Sequence, residues 1–141
     1  MRPPLDLTSI PRFSVIRVPY KFDGTPDPEE KLFVVLCHRD SYAICLKATS
    51  KLDLYDNNPI KNKGCVRLAV GYIDCFPLTT IVDPDFHFPI HHSVIWKAQE
   101  NGTFEVHKMP MGFEDRLRKA IANSGTLGPI KRARILSMIS D

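Results

Sequence analysis

The stretch Lys31–Lys51, KLFVVLCHRDSYAICLKATSK, constrains the fold of this chain more than any other. Leu32 to Leu36 is a continuous apolar run, short enough for a core strand. His38-Arg39-Asp40-Ser41 turns the chain, and Tyr42 to Ala48 returns antiparallel to end on Thr49-Ser50-Lys51. In an antiparallel hairpin the start of the first strand and the end of the second share one edge, so Lys31 is expected beside Thr49, Ser50 and Lys51. Two ammonium groups and two hydroxyls held rigidly at one edge suit a phosphodiester. The cations stabilise the charge that builds on a phosphorane, and the hydroxyls orient its oxygens. Arg17 or Lys21 from the preceding strand would add a further cation, under a lid formed by the polar loop Lys21–Glu30, KFDGTPDPEE.

The rest of the chain supplies a setting for that hairpin. Its 141 residues suit one domain with a core of its own. A formal charge of +3 permits a polyanionic partner without demanding one. No apolar run approaches the ~18 residues of a membrane span, and Met1-Arg2-Pro3-Pro4-Leu5-Asp6 has no apolar core of a signal peptide, so a cytoplasmic protein with no membrane association is expected. Cys37, Cys45, Cys65 and Cys75 sit in or beside apolar segments and form no CxxC pair, which points to buried reduced thiols and away from zinc or redox chemistry. With the hairpin turn centred on Arg39-Asp40, Cys37 would oppose Tyr42 and not Cys45.

Residues 1–12 read as a proline-rich lead-in and 13–141 as a single domain. Phe13 to Val18 alternates like a strand, with Pro19 ending its regular ladder. Asp53–Lys63 reads as a turn-rich loop, and Gly64–Ile73 as a strand with Val66, Leu68 and Val70 on one face. Asp74–His92, with Pro77, Pro84 and Pro89, reads as irregular. Val94–Ala98 and Thr103–His107 flank Asn101-Gly102, a hairpin signal. In the tail, Phe113, Leu117, Ala120 and Ile121 fall at helical spacing, with Gly125 placed as a C-cap. Pro129 then suits the first turn of a second helix, with Ile130, Ala133, Leu136 and Ile139 on one side. The basic residues Arg116, Arg118, Lys119, Lys131, Arg132 and Arg134 read as solvated helix faces. The fold class expected is mainly β: a small SH3-like, partly open antiparallel barrel with a C-terminal helix or helix pair.

Two further groupings bear on chemistry. Asp83, Asp85, His87 and His91 lie within one short segment and would give a metal-dependent hydrolase if they converged. Their spacing fits no helix motif, and the favoured reading is an extended segment with Phe86 and Phe88 in the core, the histidines outside, and no metal. For metal-independent RNA cleavage, one group must take the 2′-OH proton and another must protonate the leaving oxygen. His38, His87 and His91 are of the right type near neutral pH. His38 lies at the turn, away from Lys31, which leaves His87 or His91.

Val18-Pro19-Tyr20-Lys21-Phe22, a polar loop, Lys31-Leu32-Phe33-Val34-Val35-Leu36, and Ile44-Cys45-Leu46-Lys47-Ala48-Thr49-Ser50 together resemble the plasmid-maintenance toxins of the MazF/PemK/Kid type. The resemblance covers roughly residues 13–51, and the tail by architecture. It implies an SH3-like barrel, a homodimer and a metal-independent endoribonuclease that cuts single-stranded RNA with no cofactor. It also implies inhibition by a cognate antitoxin. By carry-over Thr49 contacts the phosphate with Ser50 beside it, and Lys31 stands where the family places an arginine. The Arg-Pro pair of the family is Lys31-Leu32 here, and lysine lacks the planar fork that grips a phosphorane bidentately. The expected catalytic set is thus Lys31, Thr49, Ser50 and one of His87 or His91, with Arg17, Lys21 and Lys51 binding substrate. The alternative is a non-catalytic SH3-like barrel module that binds a protein partner or nucleic acid.

Overall fold

The computed structural model describes residues 5–21, 24 and 26–140. The first four residues of the lead-in, Phe22 of the family-like stretch and part of the loop after it lie outside the described residues. Strands β1 (Ser14–Tyr20), β2 (Glu29–Arg39) and β3 (Tyr42–Thr49) form an antiparallel meander. The single-turn helices α1 (Asp53–Asp56) and α2 (Pro59–Asn62) lead to β4 (Val66–Leu68) and the long β5 (Thr80–His91). Helix α3 (His92–Glu100), β6 (Glu105–Lys108), α4 (Phe113–Asn123) and α5 (Pro129–Ser140) complete the chain. The six strands are ordered β4-β5-β3-β2-β1-β6, all neighbours antiparallel, and curl into a half-barrel with helices after the sheet. This is the partly open barrel with a terminal helix pair that the strand pattern predicts.

Both faces of the sheet are covered, which is why β2 reads as an unbroken apolar run and not as an alternation. On one face Val15, Val34, Leu46, Val66 and Val82 pack with Phe113, Leu117 and Ile121 of α4 and with Ile135 and Ile139 of α5. On the other, Ile16, Val18, Phe33, Val35, Cys45 and Ile90 pack with Ile95 and Ala98 of α3 and with Ile10.

The hairpin turn is the two residues Asp40-Ser41, with Asp40 at φ 53°, so Arg39 opposes Tyr42. That is one residue later than the turn assumed from sequence. A bulge between Val35 and Cys37 then puts Cys37 opposite Ile44 and Cys45 opposite Val35. All four cysteines are free thiols, with Cys37 and Cys45 buried and Cys65 and Cys75 half-buried. Burial pushes the Cys65 thiol up to about 12 and Cys75 up to about 11.

Several expectations are corrected. Asp74–His92 is not irregular throughout: Thr80–His91 is the strand β5, and its prolines have a local explanation. β4 pairs only with Thr80–Val82, so beyond Val82 the strand has one neighbour, and a residue without an N–H breaks no second ladder there. Pro19 is tolerated in β1 for the same reason, since β6 reaches only as far as Arg17. Val94–Ala98 is helical. Asn101-Gly102 ends α3 in a Schellman motif, with Thr103 N–H donating to Ala98 O and Gly102 N–H to Gln99 O. Asp53–Lys63 folds into α1 and α2, the second opened by Asn58, whose side chain accepts from Lys61 N–H, and by Pro59. β4 stops at Leu68, and Val70 is exposed. In α5 the buried residues are Ile135, Met138 and Ile139, while Ile130 is exposed. Gly125 is no left-handed cap: α4 ends at Ser124 in extended conformation, and a Cβ on Gly125 would stand 2.7 Å from a methyl of Ile60. Of the basic tail residues, Arg118 pairs with Glu114, Lys131 with Asp85, and Arg132 donates to Ser124 O.

An imidazole pair ties the lead-in to the sheet. His38 Nε2 lies 2.8 Å from Ile10 O, so it donates, and His38 Nδ1 then accepts from His92 Nε2 at 3.0 Å. Burial, and then the neighbouring imidazoles His38 and His91, hold His92 below the usual histidine range. Burial followed by Lys131 and Arg134 does the same for His87. Because the unfolded chain takes up these protons first, their contribution is complete above the ordinary value of 6.5 and is lost as pH falls through it toward the folded value. The urea midpoint is therefore expected to drop between pH 7.5 and about 5.5, and to drop less in His92→Asn, as read by circular dichroism.

Candidate functional site

The β2–β3 ladder runs from Arg39–Tyr42 to Phe33–Lys47 and stops. Beyond it, β2 continues on β1 alone (Val18 opposite Lys31, Tyr20 opposite Glu29), and β3 continues on β5 alone (Ala48 opposite Val82, Thr49 opposite Ile81). The two central strands part, and a cleft of about 690 Å³ opens between them. One wall carries Arg17, Glu29, Glu30, Lys31 and Leu32; the other carries Lys47, Ala48, Thr49, Ser50 and Lys51. Phe76, Pro77 and Leu78 close it with an apolar rim.

Five residues expected from sequence meet here: Arg17, Lys31, Thr49, Ser50 and Lys51. Lys21 is exposed and does not line the cleft. Neither His87 nor His91 lines it either. His87 lies opposite Leu46, in a separate hollow with Pro129, Lys131 and Arg134. His91 lies opposite Tyr42 at the turn end of the hairpin, packs edge-on to that ring, and caps α3 by accepting from Ser93 N–H at 3.1 Å. The irregular fold-over that would bring them to Thr49 is absent because the segment is a strand directed away from the cleft.

The cleft is cationic but partly neutralised. Lys31 pairs with Glu29 at 3.0 Å, and this bond holds Glu29 below the usual carboxylate range. Arg17 pairs with Glu105 at 3.2 Å and with Glu30 at 3.9 Å. Thr49 Oγ1 accepts from Lys51 N–H at 3.1 Å, which shapes the turn and leaves the hydroxyl proton to donate outward. Lys47 has no carboxylate within ion-pair distance among the described residues; its ammonium lies 5.4 Å from the centre of the Phe86 ring. Burial lowers its pKa, with Asp83 opposing and Lys51, Lys31 and Lys61 adding to the shift. Lys47 is not among the site residues expected from the sequence, although its spacing two residues before Thr49 on a strand puts both on one face.

Asp83, Asp85, His87 and His91 do not converge on a metal. Asp83 is buried and accepts from Tyr55 Oη at 2.8 Å and from Asp85 N–H at 2.9 Å, with Lys61 Nζ at 3.4 Å. Asp85 faces Lys61 at 3.9 Å and Lys131 at 3.6 Å. Among the described residues no group of three or more His, Cys, Asp or Glu is placed to hold a metal ion. Burial, and then the bond to Asp83, push Tyr55 well above its ordinary pKa. Phe88 is packed as expected, with Tyr20 and Phe33 at 5.4 and 5.7 Å between ring centres, but Phe86 is 40 % exposed.

No helix among the described residues is long and apolar enough to cross a membrane. A scan against protein-family models finds no match, and a search of curated proteins finds none with significant similarity. What the fold and site define is a curled antiparallel half-barrel with a cationic cleft where its central strands part.

The buried charges beside the cleft are expected to govern its stability. Tyr55→Phe should cost about 1–3 kcal/mol by leaving Asp83 short of a donor. Lys61→Met should cost about 3–5 kcal/mol by leaving Asp83 without its cation. Urea unfolding of both variants reads the difference.

Proposed function

We propose that this chain binds single-stranded RNA in the cleft and cleaves it there without metal, as a toxin-like endoribonuclease. The observation that carries the reading is the convergence of Arg17, Lys31, Lys47 and Lys51 with the hydroxyls of Thr49 and Ser50 between two parted strands. The cleft has the volume of a small-ligand pocket. It suits the backbone of one strand and not the paired phosphate ridges of a duplex. Lys31 and Lys51 offset the charge on the phosphorane, and Thr49 and Ser50 orient its non-bridging oxygens. A proton acceptor at this cleft is Glu29, already bonded to Lys31. The 2′-OH proton passes to Glu29 as the 2′-oxygen bonds to phosphorus. The bond to the 5′-oxygen breaks, and that oxygen takes a proton from Lys31, leaving a 2′,3′-cyclic phosphate and a 5′-hydroxyl. A cognate antitoxin and a homodimer belong to the same reading and rest on the resemblance alone.

Incubation of end-labelled single-stranded RNA with purified protein and a chelator is expected to yield cyclic-phosphate ends. Thr49→Ala and Glu29→Gln should each slow cleavage about 100-fold, with Glu29→Gln retaining binding. Binding measured by anisotropy should fall with salt at a slope of about −0.7 per phosphate engaged, with duplex RNA and single-stranded DNA as comparison arms. Binding without cleavage would favour the non-catalytic module, which the positions of His87 and His91 outside the cleft also favour. An absence of binding even at low salt would overturn the whole reading.

A further inference from the structure

The β3–β5 ladder carries an irregularity beside the cleft. Lys47 lies opposite Asp83, yet the preceding residue, Leu46, lies opposite His87. Pro84, Asp85 and Phe86 therefore have no partner on β3, and β4 has already ended opposite Val82. The excursion is rigidly mounted: Asp85 N–H donates to Asp83 Oδ1 at 2.9 Å, and Lys131 Nζ donates to Asp85 O at 2.7 Å. Bulges of this kind re-aim a side chain and often stand next to functional sites. The side chain re-aimed here is Phe86, left 40 % exposed, with Lys61 Nζ 4.5 Å and Lys47 Nζ 5.4 Å from its ring centre.

These two lysines differ. Lys61 is committed to Asp83 and Asp85. Lys47 has no such partner among the described residues and also lines the cleft, so it joins the phosphate-binding edge to the ring. An exposed ring mounted beside a run of cations is how sequence-tolerant single-strand binders hold a base while the backbone is neutralised. A lysine over a partly exposed ring holds it more weakly than a stacked base does, so exchanging one for the other is favourable once a phosphate receives the lysine.

We propose that Phe86 is a base-stacking platform that extends the cleft, and that Lys47 swings from the ring to a phosphate when the strand arrives. The inference rests on the cleft taking single-stranded RNA and adds a subsite to it. The competing role for Phe86 is to shield the Lys61–Asp83 pair, and that role concerns stability alone.

The test is anisotropy with a uridine oligonucleotide and with copies carrying one abasic ribose, each position in turn. Phe86→Ala should weaken binding about 5- to 100-fold with the salt slope unchanged, and Phe86→Tyr should restore it. Phe86→Leu, which keeps the apolar cover over Lys61, should bind as weakly as Phe86→Ala. Lys47→Met should make the slope shallower by about 0.7. One abasic position should weaken the parent to the level of Phe86→Ala and have no effect on that variant. If the parent binds RNA while Phe86→Ala and every abasic copy bind equally well, the platform is wrong and the cleft reading survives. If Phe86→Leu binds like the parent, the ring is cover and the platform is again wrong. If the parent binds no RNA, both readings fall together.

Discussion

The ladder between β2 and β3 is the constraint on which the rest of this molecule depends, through where it holds and where it ends. From Arg39–Tyr42 to Phe33–Lys47 it joins the two strands buried on both faces, and the two apolar clusters are built outward from it. Its end has a physical cause on each side. On one side, Phe33 of the last pair packs edge-on with Tyr20 and with Phe88, which also pack on each other, so a cluster of three rings stands there. At the same point β5 takes its excursion between Lys47 and Leu46 partners, and a bulge increases local twist. β3 follows β5 away while β2 stays with β1. The cleft thus opens through sheet geometry, its two walls starting from β2 and β3, while the connecting residues Phe76, Pro77 and Leu78 close its rim.

Rigidity on the β5 side comes from charge. Asp83 is fully buried, and its position is fixed by a phenol, a backbone amide and the Lys61 ammonium. A carboxylate in such a place destabilises the fold unless every partner is present, so the network specifies one placement of α1, α2 and the bulge more than it adds stability. Lys131 extends it to α5 through the Asp85 carbonyl. The two carboxylates that look like metal ligands in the sequence are thereby consumed as structure.

Legibility in the sequence follows from how local each decision is. The hairpin was readable because two-sided burial leaves an apolar run that only a central strand explains, and its edge chemistry followed from antiparallel geometry. That sufficed to put Lys31, Thr49, Ser50, Lys51 and Arg17 at one site. β5 was hidden because Pro84 and Pro89 are forbidden only where a strand has two neighbours, and the length of β4 is not written near them. α3 was hidden because Asn101-Gly102 suits a hairpin turn and a Schellman cap equally; the bond from Thr103 N–H to Ala98 O, which tells them apart, depends on the fold. Lys47 and Phe86 meet through a register shift between two strands over thirty residues apart, and no pattern in either strand announces it.

In the proposed reading, an ammonium rather than a guanidinium near the start of β2 sets what the remainder of the phosphate site must supply. An arginine brings a planar fork that binds two oxygens and orients them, whereas Lys31 brings a point charge on a flexible stem, here already engaged with Glu29. Orientation must then come from elsewhere, and the second wall has the means: Thr49 is held by its own turn, and Ser50 and Lys51 follow it. Charge must also be spread over several ammonium groups, and neither Lys47 nor Lys51 has a carboxylate within ion-pair distance among the described residues. In the proposed reading the phosphate is gripped chiefly from the β3 side, and the β2 side contributes the Glu29–Lys31 couple that moves the proton. That division of labour follows from the parting of two strands, since a closed ladder would have set Lys31 directly across from Thr49 with no room for a ligand between them.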